Sequence, residues 1–199
     1  FPELGGSDLT WQASSAGDFN GDGIDDFALL LRSDERSNNL SEDDFALPAN
    51  CQEREGDQGG VYVFLGGARA TIGLRPAFVY WGGQRSLAPE ALAGVGDVNG
   101  DGYDDLAMGG FRWDDGVSDV GVIDIIGGRS FASDGRIHVI CNPVLRQIGT
   151  EQGGNFGRSV TGMGDYDGDG CDDFAVGADG EFDGGPNRQG VVWLFRGTG

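Results

Sequence analysis

Three stretches of this chain concentrate aspartate, asparagine and glycine: GDFNGDGIDD at 17–26, GDVNGDGYDD at 96–105 and GDYDGDGCDD at 164–173. Written as D-x-[DN]-x-D-G-x-x-D, each offers side-chain oxygens at positions 1, 3, 5 and 9 and a backbone carbonyl at position 7. That alternation lets a short chain wrap a hard cation that takes about six to eight oxygens at roughly 2.3–2.6 Å. The first cage is Asp18, Asn20, Asp22, the Ile24 carbonyl and Asp26. The second is Asp97, Asn99, Asp101, the Tyr103 carbonyl and Asp105, and the third is Asp165, Asp167, Asp169, the Cys171 carbonyl and Asp173. Gly23, Gly102 and Gly170 stand at position 6, where a sharp turn needs a residue without a Cβ. Magnesium would demand a near-ideal octahedron and keep its waters, and zinc prefers His or Cys, whereas the only histidine, His138, lies outside the loops. Calcium, at three sites, is the ion this donor set selects.

The wider composition narrows the function classes. Against 33 acidic residues stand 13 basic ones, a formal charge of -20 that repels nucleic acid and anionic membrane surfaces. No apolar run approaches the roughly 20 residues of a bilayer span, so no membrane insertion is expected. The chain opens at Phe1 without a basic leader, which reads as a mature secreted chain or an excised piece of one. Carboxylate pairs can run glycoside hydrolysis, but the densest pairs here belong to the cation cages. With one histidine no Ser-His-Asp arrangement is evident, and His138 sits in a strand, where a structural role is expected.

The elements that hold the cages repeat with them. A candidate strand precedes each loop (9–17, 90–96, 157–164), and a short apolar one follows it: DFALLL at 26–31, DLAMGG at 105–110 and DFAVGA at 173–178. Next come GVYVFLGG (60–67), GVIDIIGG (121–128) and GVVWLFRG (190–197), rich in β-branched and aromatic residues and bounded by turn signals. AFVYW (77–81) and RIHVIC (136–141) are expected as fourth strands of the first two units. The predicted class is all-β: blades of four antiparallel strands, propeller-type, in three repeats of about 9–83, 84–149 and 150–199 within one domain over 1–199. The third repeat is expected to lack its outer strand. A polar insertion, 32–59, separates strands two and three of the first repeat, with Phe45, Ala46, Leu47 and Pro48 as its anchor. An EF-hand is excluded, because no helices flank the loops and position 12 carries Leu29, Met108 and Val176 instead of Glu. A dockerin-type repeat fails on the same absence of a following helix.

The chain resembles the FG-GAP repeats of integrin α-subunit propellers and their bacterial relatives. The third unit, NFGRSVTGMGDYDGDGCDDFAVGADGEFDGGPNRQGVVWLF, is the nearest match, with Phe156-Gly157, the cation loop and VGA at 176–178; in the first two units GAP has become LLL and MGG. The resemblance implies that the cation loops join strands one and two on one face. The opposite face would then bind a protein or polysaccharide partner. That places Trp113, Asp114 and Asp115 on the binding face as a candidate sugar subsite. It also brings Cys141, at the end of a fourth strand, near Cys51 of the insertion, so a Cys51–Cys141 disulfide is expected, with Cys171 free. Because the family usually closes rings of more blades, the chain is expected to be part of a longer propeller or to pair as a homo-oligomer. The function implied is recognition or adhesion by a secreted or cell-surface protein. The rival readings are a polysaccharide lyase or hydrolase, or a domain accessory to one, and a purely structural calcium-bound scaffold.

Overall fold

The computed structural model describes residues 11–31, 45–46, 48, 60–67, 75–81, 90–114, 116–131, 134–181 and 189–199. Within them every regular element is a strand. The first sheet holds β1 (Trp11–Gly17), β2 (Asp26–Leu31), β4 (Gly60–Phe64) and β5 (Phe78–Tyr80), antiparallel in that order. Two short strands extend it: β9 (Ile137–Ile140) lies parallel to β5, and β3 (Phe45–Ala46) lies parallel to β9. The second sheet runs β10 (Leu145–Ile148), β8 (Val122–Ile126), β7 (Asp105–Gly110), β6 (Ala91–Gly96), and the third β11 (Phe156–Gly164), β12 (Asp173–Ala178), β13 (Val191–Phe195). No helix among the described residues is long and apolar enough to cross a membrane.

These are blades of the expected kind, and the sequence pattern explains why they stack. β7 and β8 are buried along their whole length, as their near-continuous apolar runs require. Their alternate residues serve opposite neighbours. Leu106, Met108, Val122 and Ile126 join a core with Ala28, Leu30, Val61, Val63, Phe78 and Tyr80 of the first sheet. Ala107, Ile123 and Ile125 join a second core with Phe156, Phe174 and Val176 of the third. The innermost strands β1, β6 and β11 lie side by side, so the three acidic loops, which link β1 to β2, β6 to β7 and β11 to β12, occur at the same end of each sheet.

One strand assignment is corrected. The segment 136–141 forms β9, but it does not complete the second sheet; it adds to the outer edge of the first, next to β5. The fourth strand of the second sheet is β10, paired with β8 from Leu145↔Ile125 to Ile148↔Val122. The reason is side-chain burial. Ile137 and Val139 are covered by Leu31, Tyr62, Phe64 and Val79 of the first sheet, an apolar edge that β10, with Leu145 exposed, does not need. Cys141 therefore follows a strand of the first sheet's edge. The anchor expected in the insertion is seen at Phe45–Ala46, where Phe45 packs on Trp81 with ring centroids 5.3 Å apart.

Candidate metal centre

Each loop is held open as a ring of oxygens by its own backbone N–H groups. In the first, the two Asp18 carboxylate oxygens accept from the N–H groups of Asp22 and Gly23, both at 2.8 Å, and Ile24 N–H donates to Asp22 at 3.0 Å. The second repeats this with Asp97 accepting from Asp101 (3.0 Å) and Gly102 (2.8 Å) and Asp101 accepting from Tyr103 (3.1 Å). The third does so with Asp165 accepting from Asp169 and Gly170, both at 3.0 Å, and Asp169 accepting from Cys171 at 3.0 Å. The glycines at position 6 have φ of +84°, +88° and +97°, a conformation that other residues rarely adopt. The aspartate at position 9 is the first residue of the next strand and is buried in all three sheets. It ties the loop to the turn after the third strand: Asp26 accepts from Gly66 N–H (2.8 Å), Asp105 from Gly128 (2.9 Å) and Asp173 from Gly197 (2.9 Å).

The donor set fits a hard cation on two observations. Oxygens of Asp165, Asp167 and Asp173 lie within 4.8 Å of one another, the spread that a single ion bound at about 2.4 Å to each can bridge. In the first loop the second Asp26 oxygen is buried, and no donor among the described residues makes a hydrogen bond of good geometry to it. A lone carboxylate oxygen held out of water is costly unless something of opposite charge meets it. The electrostatics agree. Burial, reinforced by Asp22 and Asp18, pushes the Asp26 carboxyl up to about 6. Burial, reinforced by Asp101 and Asp97, pushes Asp105 up to about 7. Asp173 goes the other way, held below the usual range chiefly by the Gly197 N–H. A bound divalent ion would favour the ionised form at all three positions. Asn20, Asn99 and Asp167 complete position 3, with Asn20 buried and Asp167 3.1 Å from Arg196.

Away from the loops, the candidate residues are placed less simply. Trp113 packs partly buried against the core between the first two sheets, under the Arg146 guanidinium at 5.5 Å. Asp114 accepts from Asp119 N–H at 2.7 Å, and Asp115 lies outside the described residues. Cys141 is disulfide-bonded and Cys171 is a buried free thiol; Cys51 lies outside the described residues. His138 pairs with Asp134 at 3.3 Å and packs on Phe78 and Phe131.

A polar network that the strand reading passed over sits between the first two sheets. Asp124, fully buried, receives two charge-assisted bonds from Arg146, both at 2.6 Å, and a third from the Tyr80 hydroxyl at 2.7 Å. The signal was a lone aspartate inside GVIDIIGG, since a charge in an apolar strand needs partners. A second missed feature is position 8 of each loop, Asp25, Asp104 and Asp172, which the ligand pattern leaves unused.

Comparison with known proteins relates this sequence to a family. The family model described as FG-GAP repeat matches residues 156–195. Integrin alpha-5 of Xenopus laevis is 38% identical over 101 residues, 51% of this chain and 9% of its own length. Integrin alpha-PS2 of Drosophila melanogaster is 38% identical over 112 residues, again 51% of this chain and 7% of its own. Integrin alpha pat-2 of Caenorhabditis briggsae is 31% identical over 201 residues, 96% of this chain and 14% of its own. The chain thus spans only a small part of the length of the relatives it matches.

Proposed function

Because this chain is an FG-GAP repeat protein of the integrin α-like family, we propose that it is a calcium-braced recognition module, with an ion in each of the three cages and an adhesive surface at the opposite end of the blades. The observation that carries the calcium reading is the convergence of Asp165, Asp167 and Asp173 on one point, in a loop whose pattern is repeated twice. Binding the ion is then also folding energy, because the unfolded chain has no cage. The ligands are those of the three loops: Asp18, Asn20, Asp22, Asp26 and the Ile24 carbonyl, and their counterparts around Tyr103 and Cys171.

The partner is a protein or a polysaccharide met outside the cell. A disulfide at Cys141 suits an oxidising compartment, and cages this open suit millimolar calcium. With Cys171 free, the bridge is proposed to join Cys141 to Cys51. A glycan subsite at Trp113, Asp114 and Asp115 has the weaker support, since Arg146 already covers one face of the indole.

Two measurements test the proposal. Calorimetric titration of the whole chain with calcium is expected to show three ions bound, and two in each of Asp18→Ala, Asp97→Ala and Asp165→Ala; a wild type that takes up none overturns the calcium reading. Beads coated with the protein are expected to be retained on immobilised extracellular protein or polysaccharide in calcium and released by chelator. Cleavage of a uronic-acid polymer in the same screen would replace recognition with a lyase.

A further inference from the structure

The aspartate at position 8 reaches out of its own loop to the preceding one. Asp104 Oδ2 accepts from Asp18 N–H at 2.7 Å, while Asp104 N–H donates to the Asp18 carbonyl at 3.3 Å. One sheet further on, Asp172 Oδ2 accepts from Asp97 N–H at 2.9 Å and Asp172 N–H donates to the Asp97 carbonyl at 3.0 Å. Both clamps pass over a glycine with positive φ, Gly17 at +59° and Gly96 at +75°, where a Cβ would collide with the clamping carboxylate. The clamped residue is ligand 1 of one cage. The clamping residue sits between ligands 7 and 9 of the next, Tyr103 and Asp105 in one case, Cys171 and Asp173 in the other.

Resting on the reading that the loops hold calcium, we propose that Asp104 and Asp172 are positioning residues that couple neighbouring cation sites. An ion in the second cage fixes residues 103–105 and thereby holds Asp18 in its ligating position for the first; an ion in the third does the same for Asp97. The ordering cost is met once and shared, so the coupling is positive, and by linkage it is reciprocal. It is also nearest-neighbour: among the described residues no clamp joins the first cage to the third. Direct repulsion between bound ions acts in the opposite sense and is screened at exposed loops, so the sign of the measured coupling is decisive.

The test is calcium calorimetry on the whole chain with cages emptied at position 5. The Asp101 carboxylate caps its own loop at Tyr103 and takes no part in the clamp. In Asp169→Ala, cages one and two remain; in Asp101→Ala with Asp169→Ala, only the first remains. The first cage is expected to bind calcium about five-fold or more tightly in the former, the low end of typical allosteric couplings. Adding Asp104→Ala to Asp169→Ala is expected to abolish that gain. Asp104→Asn, whose amide oxygen still accepts from Asp18, is expected to keep most of it. Should Asp104→Ala fail to fold, the first comparison alone fixes the sign. Equal affinities, a weaker first cage when the second is filled, or a gain that survives Asp104→Ala overturns the coupling while leaving the calcium reading intact. A wild type that binds no calcium overturns both.

Discussion

At position 9 the same residue type is asked to do two jobs, first residue of a buried strand and proposed last ligand of an exposed loop, and its ionisation records the conflict. Asp26 and Asp105 rise from an ordinary value of 3.8 to about 6 and about 7, mainly because burial disfavours the charged form. Between roughly pH 4 and pH 7 the folded, calcium-free chain therefore binds more protons than the unfolded chain, which has already released them. Its stability falls as pH rises through that window, by an amount on the order of a few kcal/mol. On the proposed calcium reading the ion removes the penalty, because it would be bound by the ionised carboxylates. Thermal melts in chelator are expected to show a falling midpoint from pH 5 to pH 7.5, and melts in millimolar calcium a flat or rising one. A midpoint independent of pH in chelator would mean that these two carboxyls ionise freely without the ion. The turn geometry of the three loops was legible in the sequence because residue spacing within a nine-residue loop is set locally. The clamp at position 8 and the Asp124 pair were not, because their partners lie 86, 75 and 22 residues away.

Strands show the same division between local and distant causes. Apolar runs and turn glycines located all three strands of every repeat core, since period and punctuation are properties of the segment itself. The choice of neighbour for 136–141 is not such a property; β9 went to the sheet whose edge offered Leu31, Phe64 and Val79 to cover its isoleucine and valine. The innermost strands are governed by a third rule, space. A Cβ at Gly94 would stand 2.5 Å from the Ser15 carbonyl oxygen, and one at Gly162 would stand 2.8 Å from that of Gly94. In both cases the obstacle is backbone, which cannot turn aside as a side chain would. Gly94→Ala and Gly162→Ala are each expected to destabilise the chain by about 1–3 kcal/mol, as overpacking does, by prising adjacent inner strands apart. Denaturant unfolding in saturating calcium reads this directly, and an unchanged midpoint would show that the strands already have slack between them.

At the scale of the whole molecule, each sheet presents to the next a face whose counterpart residues can be matched through the strand register. Phe27 pairs with Phe64, Leu106 with Ile126 and Phe174 with Phe195, each one residue after the cage aspartate. Val61 and Val63 of β4 are thus equivalent to Ile123 and Ile125 of β8 and to Val192 and Leu194 of β13. The first pair is buried under the second sheet and the second pair against the third. Val192 and Leu194 are 68% and 61% exposed. Burying what remains exposed of the two aliphatic side chains would contribute roughly 2–4 kcal/mol. Among the described residues the face shared by all three sheets is therefore left uncovered only on the last, and a second copy of the chain is the occupant we expect there when no other blade is present. Light scattering in millimolar calcium should give a mass above the 20.9 kDa of one chain, falling toward it in chelator as the loops loosen. Leu194→Asp should give the monomer mass even in calcium, with the number of bound ions unchanged. A wild type that stays monomeric at tens of micromolar in calcium would show that two exposed aliphatic residues on a twisted sheet do not suffice for self-association.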